Sequence, residues 1–204
     1  PEIDLSKTGS LLAILNKLQP GAIINAAAYT QVDRAEQEVE SCLLINGEAP
    51  GVIAKWCAEK KIPFVHYSTD YVFPGEGNKP WHEDDPVSPL SAYGRSKLLG
   101  EQNVAKAGGN WLIFRTSWVY DATGKNFLRT MLRLAKEKDE LNVVADQYGA
   151  PTYAPHLAAA TLKILDKASG YTPFPSGIYH LCNGGETSWH GFAEAIIASA
   201  KAAG

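Results

Sequence analysis

The sequence predicts an α/β protein built on a doubly wound parallel sheet, and three observations carry that prediction. Short apolar runs of strand length alternate with segments of helical apolar spacing along most of the chain. The run at 22–28 is continuous in apolar residues apart from Asn25, the look of a strand buried on both faces. Connections are short except for 73–91 and the stretches after Tyr120 and Gly170, and long loops in compact domains are often functional.

Taken in order, residues 11–18 have helical spacing and run into Pro20-Gly21, a stop signal. Residues 22–28 read as a strand, the charged stretch 33–40 as a helix, and 49–61 as a second helix with Val52, Ile53 and Trp56 on its apolar side. Residues 62–68 form the next strand. The stretch 73–91, rich in Pro, Gly and acids, is irregular. A helix is expected over 93–106, a strand over 111–115, an amphipathic helix over 127–138 and a short strand over 141–144. A helix over 156–168, a strand over 177–182 and a final helix capped by Ser188 complete the chain.

The composition narrows the function classes. Of 204 residues, 45% are hydrophobic and 20% charged, and the net charge of −3 gives no broad pull toward nucleic acid or an anionic membrane. No apolar run reaches the roughly 18 residues that span a bilayer, and no signal peptide is visible, so the cytoplasm is the expected location. Cys42, Cys57 and Cys182 are odd in number and contain no C-x-x-C. They read as buried thiols in a reducing compartment. The five histidines show no metal-ligand spacing, and Glu83-Asp84-Asp85 reads as a solvated loop. No metal is expected.

Three stretches carry chemistry. Tyr93 and Lys97 form a Y-x-x-x-K, which on a helix puts both side chains on one face. A free phenol has a pKa near ~10, and a neighbouring ammonium favours phenolate, so the tyrosine becomes a usable proton donor. Read without further support, the pair is a surface helix contact. Ser68-Thr69-Asp70 follows the 62–68 strand, at the edge where parallel sheets bind ligands. Thr69 could bond a carbonyl as charge develops on it, or the three residues could form a turn or cap. Asn25-Ala26-Ala27-Ala28-Tyr29-Thr30 ends another strand; its small residues admit a flat ligand or serve tight packing. Asp4 and Leu5 border an adenine ring or form an exposed turn.

Together these stretches resemble the extended short-chain dehydrogenase/reductase family. The resemblance runs from about residue 4 to 204 and rests on 25–33 (NAAAYTQVD), 66–75 (HYSTDYVFPG), 93–97 (YGRSK), 114–120 (FRTSWVY), 130–137 (TMLRLAKE), 146–152 (DQYGAPT) and 179–181 (YHL). It implies a Rossmann-like fold and reduction, by NADPH or NADH, of the C4 keto group of a nucleotide sugar, dTDP-4-dehydro-L-rhamnose. By resemblance Tyr93 supplies the proton, Lys97 tunes it and holds the nicotinamide ribose, and Thr69 adjusts tyrosine or substrate. Ala28, Tyr29 and Thr30 line the cofactor, with Asp4 and Leu5 at its adenine end. Asp70, Trp118 and Val32 lie near the sugar nucleotide, although simple core packing also explains Trp118.

The resemblance further implies a partial dinucleotide-binding domain over 1–120, continuing through parts of 121–204, and an interleaved substrate lobe over about 121–204. The family opens with a strand and a glycine-rich turn that cradles pyrophosphate; this sequence has no counterpart of it, lacks an initiator methionine and ends in a helix, so a fragment of a longer protein is expected. Some members hold magnesium through a glutamate near Pro155, and proline offers no carboxylate there. The family allows a homodimer. Two alternatives stay open: a non-catalytic regulatory subunit like the beta subunit of methionine adenosyltransferase, and another nucleotide-sugar ketoreductase or an epimerase.

Overall fold

The computed structural model describes residues 3–203. Two compact units divide the chain. The first comprises residues 3–115 with Ile164–His180, and the second Thr116–Lys163 with residues 181–203.

The first unit opens with helix α1 (Thr8–Leu18), whose Leu11 and Leu15 are buried. The chain turns at Gln19, in the left-handed region at φ 47°, and enters strand β1 (Ile23–Asn25). Two short helices follow, α2 (Val32–Ala35) and α3 (Val39–Leu43). A π-helical turn, Leu44–Glu48, joins α3 to α4 (Ala49–Lys60). Strand β2 (Phe64–Thr69), a 3-10 turn (Asp70–Val72), helix α5 (Ala92–Ala107) and strand β3 (Trp111–Thr116) come next. The second unit holds β4 (Val119–Tyr120), α6 (Phe127–Glu137), β5 (Tyr148–Gly149) and β6 (Thr152–Tyr153). The division between units falls inside α7 (Ala154–Ser169). Strand β7 (Gly177–His180) returns to the first unit, and β8 (Thr187–Ser188) and α8 (Trp189–Ala203) to the second.

The expected α/β sheet is present. Its order is β1-β2-β3-β7, and β1 runs parallel to β2 and β3 parallel to β7. All but one residue of β2 and the middle four of β3 are buried, as strands covered on both faces must be. One core collects Leu11 and Leu15 of α1, Ile53 and Trp56 of α4, Phe64 of β2, Val104 of α5 and Ile113 of β3. Trp56 adds a hydrogen bond from Nε1 to Asn16 Oδ1 (2.9 Å), the polar partner a buried indole needs.

Several expectations change. The strand over 22–28 keeps only three residues: Ala26 and Ala27 are exposed beyond its end, and Ile24 is half open at the sheet's edge. The helix over 33–40 is two helices. No strand forms over 141–144; Leu141 and Val143 pack against the cluster of Met131, Ala193 and Ile196, and the Val144 carbonyl accepts the His190 N–H (2.9 Å). These side chains pack well without a partner strand, so apolar spacing alone misled. The four short strands of the second unit carried no period to find. Ser188 does cap α8, accepting from Gly191 N (3.0 Å). Cys42 and Cys57 are buried, but Cys182 is exposed. Glu83 is more than a solvated acid: its carboxylate accepts the His180 N–H (2.8 Å) and its carbonyl accepts from Arg115 Nη1 (3.1 Å).

Candidate active site

The site begins where β2 ends. The extended backbone of Thr69 closes the strand, and its hydroxyl accepts the Tyr71 N–H (3.2 Å) while donating to Asp70 Oδ1 (3.0 Å). The turn reading of Ser68-Thr69-Asp70 therefore holds, and the cap fixes Thr69 at the carboxyl end of a parallel strand. Burial raises the Asp70 carboxyl above the ordinary range, and the bond from Thr69 opposes that. Ser68 is 4% exposed and its Oγ has no hydrogen-bond partner among the described residues, an unusual state for a buried hydroxyl.

Helix α5 brings Tyr93 to the same place. Ser91 caps it, accepting the Gly94 N–H (3.0 Å), and Glu36 accepts the Ala92 N–H (2.6 Å). A side chain at Gly94 would collide with the Tyr71 carbonyl oxygen, and one at Gly100 with the Asn46 carbonyl. Only glycine permits this approach of α5 to the strand end and the π-helical turn. Tyr93 packs edge-on against Tyr71, with ring centroids 5.5 Å apart.

Burial pushes the Tyr93 phenol up to about 12; a side-chain hydrogen bond with Thr69 pulls the other way, and the Asp70 carboxylate adds to the rise. The expectation that Lys97 lowers this value is corrected. The Lys97 amine is 3% exposed and lies 2.5 Å from the Tyr67 carbonyl and 3.4 Å from His66 Nε2. Loss of hydration is the larger force on both groups. It keeps the phenol protonated at neutral pH, and it brings Lys97 down to about 8, against the pull of Glu101.

The segment after β1 supplies a second wall. A cleft of about 480 Å³ is lined by Ile3, Asp4, Leu5, Ser6, Ala27, Ala28 and Ile45. Asp4, Leu5 and Ala28 thus come together, beside exposed Ala26 and Ala27. The Asp4 carboxylate also closes its own turn, accepting from Ser6 N (3.0 Å) and Ser6 Oγ (2.6 Å). Tyr29 is tied on both backbone sides to Asn46, and its hydroxyl donates to Glu38 Oε2 (2.7 Å). Tyr29 and Tyr93 pack against one cluster of Ala35, Cys42 and Ala92. Thr30 is exposed and Val32 opens α2 half-buried.

Trp118 belongs to the second unit. It stacks on Trp189 (3.6 Å between centroids, 13°), and Trp189 packs on Phe127. Its φ of 46° is rare for a bulky residue, and a Cβ at Gly149 would lie 2.7 Å from its ring. The ring is thus held between Trp189 and Gly149, as the core-packing reading expects.

Three residues of the first unit escaped the sequence reading: Asn25, His66 and Asn46. Asn25 and His66 are opposite one another in the β1–β2 register, each a polar residue in an apolar strand, and that coincidence was the available signal. Asn46 gave none, because a π-helical turn has no sequence period of its own.

A parallel sheet with small residues beyond one strand end, and a tyrosine, threonine and buried lysine at the next, is the arrangement of a Rossmann-type α/β reductase. The family model described as "RmlD substrate binding domain" matches residues 1–204, and the chain belongs to that family. It is 52% identical to dTDP-4-dehydrorhamnose reductase of Burkholderia thailandensis and 48% to that of Salmonella typhimurium, with 98% of this chain and 68% and 67% of those proteins covered. The solved dTDP-4-dehydrorhamnose reductase of Bacillus anthracis, in complex with NADP, superimposes with a TM-score of 0.90 at 36% identity, over 98% of this chain and 69% of that one. Among the described residues no helix is long and apolar enough to cross a membrane.

Proposed function

We propose that this chain carries most of an NAD(P)H-dependent oxidoreductase that reduces the C4 keto group of dTDP-4-dehydro-L-rhamnose to dTDP-L-rhamnose, a polysaccharide precursor, in the cytoplasm. The observation that carries the reading is the meeting of Tyr93 with Thr69 at the carboxyl end of β2, with Lys97 buried one helical turn away. The names of relatives sharing about half its residues support the same reaction. The small-residue cleft fits a dinucleotide whose adenine end meets Asp4, Leu5 and Ala28. Tyr29 and Thr30 line its middle, and Lys97 holds its ribose hydroxyls. When bound, the cofactor supplies hydride.

In this reading the residues of the chain handle the proton. Tyr93, protonated at neutral pH, gives its proton to the oxygen of the reduced carbonyl. Thr69 orients the phenol and the keto group, and the low-dielectric surroundings strengthen both interactions. Asp70, Val32 and Trp118 bind the sugar nucleotide, with Trp118 offering an aromatic face. The partner is a small molecule, with no nucleic acid or membrane involved; the homodimer that the family allows is checked by molar mass from light scattering.

The test is oxidation of NADPH by the full-length protein carrying this sequence, with and without dTDP-4-dehydro-L-rhamnose. Substrate-dependent loss of absorbance is expected. Its absence would return the regulatory-subunit reading, and tightly retained NAD with no net consumption would return the epimerase reading.

A further inference from the structure

Asn25 and His66 are 6% and 1% exposed and paired in the parallel register of β1 and β2. Groups of this kind are costly to bury unless bonded, and they bond each other: Asn25 Nδ2 lies 3.1 Å from His66 Nδ1. The direction of that bond can be read from its neighbour. The Ala27 backbone N–H donates to Asn25 Oδ1 (3.2 Å), which fixes that oxygen as the acceptor end of the amide. The nitrogen end therefore donates to His66 Nδ1. A neutral imidazole that accepts at Nδ1 carries its hydrogen on Nε2.

That Nε2–H faces Lys97 Nζ at 3.4 Å. An ammonium has three hydrogens and no lone pair, so a charged Lys97 would turn donor against donor. An uncharged amine accepts from His66 and still donates to the Tyr67 carbonyl. The carboxylate nearest along the helix is engaged elsewhere and only partly offsets the burial of Lys97. Glu101 accepts two bonds from Arg115, at 3.0 and 2.8 Å, and is 2% exposed. The titratable groups that act on Lys97 are thus His66 from β2, Glu101 on α5 and Cys42 from α3. Burial holds His66 itself neutral, and Lys97 adds to this whenever it carries its proton.

We propose that Asn25 and His66 are positioning residues for the reduction: Asn25 fixes the imidazole tautomer, and the His66 Nε2–H holds Lys97 as a proton-exchanging amine one helical turn from Tyr93. The consequence for turnover rests on the function proposed above. The state of the lysine does not, and it can be measured without substrate.

The experiment is NMR titration of the chain labelled with 15N at histidine and lysine side chains, with Lys97 assigned through Lys97→Met. His66 is expected as the Nε2–H tautomer, and Lys97 is expected to titrate near pH 8. In Asn25→Asp the new carboxylate accepts a hydrogen from Nδ1, so Nε2 becomes an acceptor and favours the ammonium. The Lys97 midpoint then rises by about one pH unit, a tenfold change in its protonation constant. The pH profile of kcat/KM moves with it in the full-length protein. His66→Gln, which offers an amide oxygen to the lysine, shifts the midpoint the same way and serves if Asn25→Asp does not fold. An Nδ1–H tautomer in the unsubstituted chain, or a Lys97 midpoint that is unmoved in the folded variant, overturns the proposal. A shifted lysine in a protein without reductase turnover would overturn the reaction and leave the positioning role standing.

Discussion

Among its described residues the first unit buries two basic side chains, Arg115 and Lys97, and it treats them in opposite ways. Arg115 is 5% exposed and fully partnered: two bonds reach Glu101, one reaches the Glu83 carbonyl, and its guanidinium lies 5.0 Å over the Phe73 ring. Lys97 is 3% exposed and has a carbonyl and an imidazole, with no carboxylate bonded to it. The planar fork of arginine suits a closed, permanent joint, whereas a buried lysine shifts its pKa readily. Arg115 therefore ties β3, α5 and the 73–91 loop into a fixed frame. Lys97 remains open to proton exchange, and the frame bears the cost of keeping it so. The contrast teaches where to look for chemistry: at the buried charge whose partners leave it unneutralised.

The contrast breaks most visibly in turnover. Tyr93→Phe removes the proton donor on the open side and should cut kcat by roughly 10²–10⁴, the usual range for a positioned general acid. Sugar-nucleotide binding, followed by calorimetry, should persist, and the unfolding midpoint should barely move. Near-normal turnover would take the proton from Tyr93 and leave the comparison without its functional half.

Next in size is the closed side. Arg115→Met leaves Glu101 buried without its partner, and removing one member of such a pair costs about 3–5 kcal/mol. Denaturant unfolding should show that loss, and the combined Glu101→Leu and Arg115→Met variant should recover most of it. A double variant as unstable as the single one would mean that the pair is not what holds the frame.

How much of this was legible in the sequence follows from what each feature depends on. The strand–helix alternation, α5 and its Tyr93 and Lys97 were readable because their information is local: period, cap and a four-residue spacing. The strand-end position of Thr69 followed from topology alone. The ionisation of Tyr93 was misjudged, because helical spacing places Lys97 on the right face but does not report the depth to which both groups are buried. The direction of the Lys97 amine, toward β2, depends on the β1–β2 register, and no single segment encodes that register. Asn46 was invisible for the same reason: it bonds both backbone sides of Tyr29 across 17 residues.

A smaller effect separates the two cations by pH. An unfolded lysine titrates near ~10.4 and Lys97 near 8, so above pH 8 the unfolded chain binds the extra proton. Stability supplied through Lys97 therefore rises with pH, by about 1 kcal/mol between pH 8 and 9. Higher pH is less clean, because burial also pushes Cys57 and Tyr93 up to about 12, and both then reverse the trend. Below about pH 6.5, the ordinary histidine value, the neutral burial of His66 makes stability fall as pH falls. Unfolding curves of the unsubstituted chain and Lys97→Met should diverge between pH 7 and 9, with the gain absent from the variant. Equal slopes would mean that Lys97 is not held below its ordinary value.

The smallest expected effect asks whether the open site depends on how α5 begins. Ser91 Oγ caps the helix through Gly94 N, and Asn126 Oδ1 caps α6 of the second unit through Arg129 N (3.2 Å). Each cap replaced by alanine should cost about 1 kcal/mol, so the two losses in stability should match. Their other consequences should not. Ser91→Ala loosens the turn that carries Tyr93 and Gly94, and a phenol that wanders from Thr69 loses part of its proton-transfer geometry. A several-fold fall in kcat is expected there, with KM for the sugar nucleotide little changed. Asn126→Ala leaves that turn intact and should leave kcat within twofold, about 0.4 kcal/mol at the tenfold-per-1.36 conversion. If both variants slowed turnover equally, the rate would be tracking overall stability, and the open site would have no special claim on the first turn of α5.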